Sequence, residues 1–313
     1  MRKVISVVVP AYNEQDCVDE LARRLTSVFS LHQQYDFEVL IVENGSHDDT
    51  WERLTILHRQ DARFKVIRLA RNFRMDGGLT AGLHYARGDA AVLMTADLQD
   101  PPELITDFIR KWEEGYENIY MIVSKRRGTG ALRRFNSRLF YWIAARLTGD
   151  SIPQNASDFR LVDRKVYQVI NTLDERNRFV RGLFAWVGFK SIGIEADRPP
   201  RFAGTSGARS FIVADLALKG IFAHTYLPLK LISITGITLS TLSLLSLFPL
   251  TILWVFAGVP FAGFGTLLST LLLLFGILTF MIGIVAEYVG LIYEEVKRRP
   301  NFIVTETLGV LEP

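Results

Sequence analysis

The chain is short of cysteine, of glycine-rich phosphate motifs and, over one long stretch, of charge, and each shortage excludes something. Cys17 is the single cysteine, which rules out an internal disulfide and the usual zinc patterns and suits a reducing compartment. Neither a Walker A sequence nor a G-x-G-x-x-G occurs, which argues against a P-loop ATPase and a dinucleotide-dependent dehydrogenase. From Leu231 to Ala286 there is no Asp, Glu, Lys or Arg. A spanning helix needs about 20 apolar residues, and this run holds two such lengths, interrupted at Gly258, Pro260 and Gly263. Backbone groups in lipid must be satisfied within the segment, so the expected structure is a hairpin of two helices, about 231–257 and 264–290. A buried helical pair in a large soluble protein is the alternative, and the length of the run argues against it.

Charge at the flanks sets the orientation. Arg209, Lys219 and Lys230 precede the hairpin, Lys297, Arg298 and Arg299 follow it, and the connecting turn is uncharged, so both termini are expected in the cytoplasm. The hydrophobic share of 49% and the mean hydropathy of +0.18 are high for a soluble chain because the apolar residues are concentrated in the C-terminal third. The expected division is a cytoplasmic domain over 1–208, an interfacial amphipathic helix over 209–228, two membrane helices within 229–292 and a cytoplasmic tail over 293–313. Phe211, Ile212, Leu216, Ile221 and Phe222 give the interfacial segment its apolar side. No cleavable signal peptide is expected, because Met1-Arg-Lys leads straight into an apolar run that ends at Pro10. The net charge of +3 matters less than its distribution: Lys125, Arg126, Arg127, Arg133, Arg134 and Arg138 form a basic cluster. Such a cluster suits phosphates or an anionic leaflet, or is a solvated helix face.

The polar part of the chain alternates strand and helix signals. Val4 to Val9, Phe37 to Val42, Phe64 to Leu69 and Ala90 to Thr95 read as strands buried in a parallel sheet. Helices are expected after Asn13 as a cap, around Thr50 to His58 and from about Gly77 to Ala86. This order predicts a doubly wound α/β domain. Ligands of such sheets bind beyond the carboxyl ends of the strands, here Pro10 to Glu14, Glu43 to Ser46, Arg71 to Asn72 and Asp97 to Asp100. Three of those four ends are acidic, a pattern suited to a divalent metal and to the donors of a ribose and base. Asp100 reads first as the N-cap of the helix after Pro101-Pro102, and second as a metal ligand.

Four segments in order, Val7-Val-Val-Pro10-Ala-Tyr-Asn-Glu14, Glu43-Asn-Gly-Ser46-His-Asp-Asp-Thr50, Arg71-Asn-Phe73 and Ala96-Asp-Leu-Gln-Asp-Pro-Pro-Glu103, resemble the family 2 glycosyltransferases and their GT-A fold. Ser157-Asp-Phe-Arg-Leu-Val-Asp-Arg164 and Arg178-Phe-Val-Arg-Gly-Leu-Phe-Ala-Trp-Val-Gly188 narrow the resemblance to polyprenyl-phosphate glycosyltransferases, including dolichyl-phosphate mannose synthase and the bacterial bactoprenol glucosyltransferases. The resemblance implies inverting transfer of a sugar, UDP-glucose being the leading donor, to polyprenyl phosphate at the bilayer surface, by a homo-oligomer. GDP-mannose and a UDP-amino-arabinose are the neighbouring donor choices, and no nucleic-acid partner is expected. A processive polysaccharide synthase is disfavoured, since Gln-x-x-Arg-Trp is absent.

Carried over by position, the resemblance implies that Pro10, Tyr12, Glu14, Glu43, Asn44, Ser46, Asn72 and Asp97 line the nucleotide-sugar pocket. Glu14 reads equally as a carboxylate placed on a helix dipole. Arg126, Arg133, Ser137 and Arg201 match the positions that hold the lipid phosphate, a task suited to the planar fork of arginine. Asp97 and Gln99 are the expected ligands of Mg²⁺ or Mn²⁺, with Asp97 and Asp158 as the catalytic carboxylates. Asp158 is placed beside the acceptor, or else pairs with Arg160 as a loop carboxylate. Two departures stand out: Thr95 occupies the first acidic position of the family's Asp-x-Asp-x-Gln, and Glu43-Asn44 replaces its Asp-Asp. A non-catalytic membrane scaffold on the same fold is the reading those departures motivate.

Overall fold

The computed structural model describes residues 2–124, 155–176, 178–202, 229–239 and 264–311, with 241, 245 and 256 besides. The chain forms two compact units, one from residues 1–213 with 298–313 and one from residues 214–297. The first is built on an eight-stranded sheet in the order β7-β5-β6-β4-β1-β2-β3-β8. Its strands are β1 (Lys3–Ala11), β2 (Tyr35–Glu43), β3 (Phe64–Leu69), β4 (Ala90–Leu93), β5 (Asn118–Val123), β6 (Ala156–Asp163), β7 (Ser191–Ala196) and β8 (Val304–Leu308).

The parallel half, β3-β2-β1-β4, is the one foreseen from valine-rich runs. Its central strands are apolar on both faces because helices cover both. α1 (Val18–Leu31), α2 (Thr50–Gln60) and α4 (Ile105–Glu113) contribute Leu21, Leu25, Leu54 and Phe108 to a core that includes Val7, Val9 and Ile41. On the other face α3 (Arg74–Tyr85), α5 (Arg164–Thr172) and α6 (Val180–Trp186) bring Leu79, Leu83, Tyr167 and Phe184 against Val8, Val42 and Leu93. A strand with two buried faces cannot alternate polar and apolar residues, which is why these runs are continuous. The other half is mixed, β6 running antiparallel to both β4 and β5.

Two local expectations are corrected. Asn13 does not cap α1, which starts after Cys17; Asn13 instead has φ of 55°, a left-handed conformation that asparagine tolerates, and its Oδ1 accepts from His47 N–H at 2.9 Å. The side chain of Asp100 caps no helix: the 3₁₀ turn Pro102–Leu104 begins at Pro101 with no side-chain cap. A third reading holds: the strand or docking segment suggested by Phe302, Ile303 and Val304 in the tail is β8, which pairs antiparallel with β3 at the sheet edge.

In the second unit a helix runs over Phe264–Val296. Its segment Leu274–Val296 is long and apolar enough to cross a membrane, with mean hydropathy 2.0 and none of it buried. A shorter apolar helix covers Leu229–Leu239. The rest of the expected first membrane helix, the turn at 258–263, the interfacial segment 209–228, and Arg126, Arg133 and Ser137 lie outside the described residues.

Two close approaches fix α3, whose N-terminus faces the mouth of the sheet. A Cβ at Gly82 would lie 2.2 Å from Val8 Cγ1 and 3.3 Å from Val42 Cγ2, so the helix rests on the sheet without a side chain between them. Asn44, at the end of β2, accepts from Phe73 N–H at 2.8 Å through Oδ1 and donates Nδ2–H to the Arg74 carbonyl at 2.8 Å. Aspartate could make only the first of these bonds. Asn44→Asp is therefore expected to destabilise the domain by about 1–3 kcal/mol, since the Arg74 carbonyl would lose its donor and face a buried carboxylate. Gly82→Ala should cost about the same through overpacking; chemical denaturation of the two variants against the wild type checks both.

Candidate active site

The carboxyl ends of β1, β2 and β4 meet at one mouth, and the loops leaving them are laced together. Asn13 N–H donates to Ser46 Oγ at 3.0 Å, and Glu14 N–H donates to Thr50 Oγ1 at 3.0 Å. Gly45 makes this possible: its φ is 70°, and a Cβ there would stand 2.7 Å from the carbonyl carbon of Arg71. A glycine is needed at that crossing on both counts.

The residues expected to line the nucleotide pocket separate into two groups. Tyr12 is 38% exposed and meets His47 edge-on at 6.3 Å. Ser46 and Asn72 are half-buried on the same side. Glu43 and Asn44, by contrast, are buried, and their side chains are committed to the protein. Glu43 Oε1 accepts from Ser46 N–H at 2.5 Å, and Oε2 lies 3.3 Å from Arg68 Nε without hydrogen-bond geometry. Arg68 in turn stacks over Trp51 at 4.5 Å. Glu43 thus shapes the Ser46 turn, and Asn44 holds the Asn72 loop. The departure from Asp-Asp has a structural reason at Asn44, because the position needs a donor as well as an acceptor. Pro10 is buried at the base of the mouth, where its ring packs under Gly78 of α3.

The turn after β4 carries the acid pair. Asp97 Oδ1 accepts from Thr95 Oγ1 at 2.7 Å and from Gln99 N–H at 3.2 Å; Oδ2 faces Arg201 Nε at 3.0 Å. Asp100 Oδ2 accepts from Thr95 N–H at 3.0 Å and lies 2.8 Å from Thr95 Oγ1, while Oδ1 lies 3.6 Å from Arg198 Nη2. Thr95 is accordingly a bridge between two carboxylates, which a third acid in its place could not be. Burial pushes the Asp100 carboxyl up, against the pull of Arg198 and of the Thr95 bonds. Leu98 sits between the acids with φ of 57° and a buried side chain; left-handed leucine is strained by about 1–2 kcal/mol, so its packing holds a turn that its backbone resists. Glu14 reaches the same neighbourhood: burial raises its pKa, and Asp97 and Arg201 act on it with opposite sign.

Asp158, on β6, does not pair with Arg160. Arg181 from α6 grips it with both prongs, Nε to Oδ1 at 2.8 Å and Nη2 to Oδ2 at 2.5 Å. Burial would raise the Asp158 pKa, but Arg181 first, then Arg160 and Arg198, outweigh it and hold the carboxyl below the usual range. Arg160 is buried, donates Nη2–H to the Ser157 carbonyl at 3.0 Å and lies over the Phe184 ring at 4.6 Å; burial lowers its pKa to about 10. Sequence reasoning missed Arg181 and Arg198 as site residues. Both stand in or beside quoted motifs, but only the three-dimensional pairing reveals which acid each arginine serves.

Among the described residues no three or more His, Cys, Asp or Glu side chains gather as a metal cage. A magnesium-type ion does not require one, since it keeps several waters and is commonly held by one or two carboxylates plus phosphate oxygens. Asp97, with Oδ2 turned to the side chain of Arg201 at the mouth of the sheet, fits that mode. Gln99 adjoins it through its backbone amide.

Residues 6–170 match the family described as glycosyl transferase family 2. A protein of Synechocystis sp. named as an uncharacterized glycosyltransferase is 39% identical over 306 residues, covering 98% of this chain and 96% of that one. The SfII prophage-derived bactoprenol glucosyl transferase of Shigella flexneri is 33% identical over 303 residues, 97% of this chain and 98% of that one. Among solved structures, mannosyl-3-phosphoglycerate synthase from Rubrobacter xylanophilus overlaps with a TM-score of 0.47 at 17% identity, over 71% of this chain and 73% of that one. A family match across more than half of the sequence, with relatives at this level along nearly all of it, means that the chain belongs to glycosyltransferase family 2.

Proposed function

We propose that the protein transfers a sugar, best read as glucose from UDP-glucose, to a polyprenyl phosphate at the cytoplasmic face of a membrane, with inversion at the anomeric carbon. The observation that carries this reading is the pairing of Asp97 with Arg201 at the end of the sheet. A carboxylate and a guanidinium side by side suit a reaction between two anions: the carboxylate serves a metal on the donor's diphosphate and the guanidinium suits a phosphate oxygen. The relatives named bactoprenol glucosyl transferase support the acceptor class and glucose together.

The chemistry asks little of a base. A phosphate monoester has its second pKa at about 6, so the acceptor oxygen is already anionic at neutral pH. What the chain must supply is position and charge. Asp158, kept ionised by Arg181, stands ready to orient the acceptor or the sugar. Arg198 and Arg201 lie against the acidic turn and balance charge as the anions arrive. Asp97, with Gln99 beside it, would hold a divalent metal, whose chemistry there is to neutralise charge on the departing nucleoside diphosphate.

Connectivity supports the membrane placement. The strand that comes after the hydrophobic stretch, β8, belongs to the same sheet as the strands before it. This supports a hairpin whose chain returns to the side it left, with an even number of crossings. Leu274–Val296 supports one crossing, and the charge-free residues from Leu231 supply length for a second. The lysines and arginines at both flanks favour the cytoplasm for that shared side.

Full-length protein in detergent, given radiolabelled UDP-glucose, a divalent metal and undecaprenyl phosphate, should form an organic-soluble, alkali-stable glucosyl lipid. Turnover of GDP-mannose or a UDP-amino-arabinose instead would overturn the donor assignment, and no transfer from any of them would overturn the activity. Asp158→Asn is expected to lower the rate by about 100-fold while nucleotide binding, followed by calorimetry with UDP, stays within about twofold.

A further inference from the structure

α6 is a short helix whose N-terminus has no side-chain cap from its own segment. Its first amide is satisfied from elsewhere: Val180 N–H donates at 3.0 Å to Oδ1 of Asp76, in the first turn of α3 and 104 residues away in sequence. The next residue along is Arg181, and Arg181 holds both oxygens of Asp158. We infer that Asp76 is a positioning residue for the transfer reaction, fixing the start of α6 so that Arg181 presents Asp158 to the acceptor. The role in transfer rests on the function proposed above, whereas the link from Asp76 to α6 does not.

Two observations support this beyond the single bond. The first is the charge environment. The groups that face Asp76 are Asp158 from β6, Arg181 from α6 and Arg178 from the loop before α6. Arg178 is already spent, donating Nη2–H to the carbonyls of Ile170 and Leu173 at 2.5 and 2.7 Å. Arg181 therefore lies between two carboxylates, gripping one and feeling the other. The second is the cost of keeping an acid there. Burial, reinforced by Asp158 and opposed by the Val180 bond and the two arginines, pushes the Asp76 carboxyl from the ordinary 3.8 up to about 6. With the folded value raised, the unfolded chain releases the proton first, so the fold loses stability as pH rises through this window and gains none at neutrality. A carboxylate that weakens the fold at neutral pH, placed one residue from the partner of Asp158, is not explained by stability.

The test uses the full chain in detergent and three variants. Asp76→Ala removes the acceptor of Val180 N–H, Asp76→Asn keeps an acceptor that cannot ionise, and Asp76→Glu restores the charge. In amide exchange of residues 179–186, corrected for intrinsic rates, the wild type should be protected at neutral pH and no less protected below about pH 6, where the bound proton stabilises the fold. Asp76→Ala should be unprotected throughout, and Asp76→Asn should show no pH step. In the transfer assay kcat should fall on the order of tenfold to a hundredfold in Asp76→Ala with UDP affinity unchanged, and Asp76→Glu should recover part of it. The acid limb of the wild-type profile near pH 6 should vanish in Asp76→Asn. The thermal midpoint of Asp76→Asn at neutral pH should equal or exceed that of the wild type, which separates lost positioning from lost folding. Wild-type protection and rate in Asp76→Ala, or a depressed midpoint in Asp76→Asn alongside its lost activity, would overturn the assignment. If the wild type transfers no sugar, the exchange experiment still decides whether Asp76 controls α6.

Discussion

A carboxylate can remain charged inside a folded protein only where cations or donors stand against it, and in this protein that constraint organises the mouth of the sheet. Asp97 and Asp100 leave the end of β4 together, bridged by Thr95, and two arginines from one short segment, Arg198 and Arg201, meet them one each. A backbone bond from Phe202 N–H to the Asp97 carbonyl, at 3.2 Å, ties that segment to the turn. The acidic rim and its counter-charges are thus one unit, drawn from parts of the chain about a hundred residues apart. On the function proposed above, the anionic donor and acceptor would exchange these internal pairings for external ones.

Most of the framework was legible in the residues themselves. Phe64 to Leu69 needed no correction, and β1 and β2 are only longer than their apolar cores indicated, because pairing continues past the last hydrophobic residue into Ala11 and Glu43. Periodicity reports burial, and the parallel strands are buried on both sides. Helix starts were less readable. Asn13 has the side chain of a cap, yet its carbonyl oxygen serves His47 in the neighbouring loop, a competition invisible in one dimension. Asp100 failed as a cap for a similar reason, since Thr95 and Arg198 claim its oxygens.

The site was legible by type more than by partner. Asp97, Arg201 and Asp158 were expected near the chemistry, and all three sit at the mouth or beside it. What no spacing could disclose is that Arg201 faces Asp97, that Arg181 rather than Arg160 serves Asp158, and that Asn44 works as a clamp on the loop before α3. Each of these joins elements far apart in sequence, where local pattern carries no information. Asn44 shows the value of the distinction: as a departure from a motif it cast doubt on ligand binding, and as a side chain with two satisfied ends it is a requirement of the fold.

The placement of β8 has a consequence for how the molecule is made. The edge of β3 is covered only by residues that follow the long apolar helix, so the sheet remains one strand short on the ribosome until the hydrophobic segment has been translated. An uncovered edge invites pairing with other chains, and it is protected here by a strand made after the apolar helix. Completion of the sheet in this way waits on translation of the apolar helix, and a nascent chain that stalls before β8 would be both incomplete and sticky.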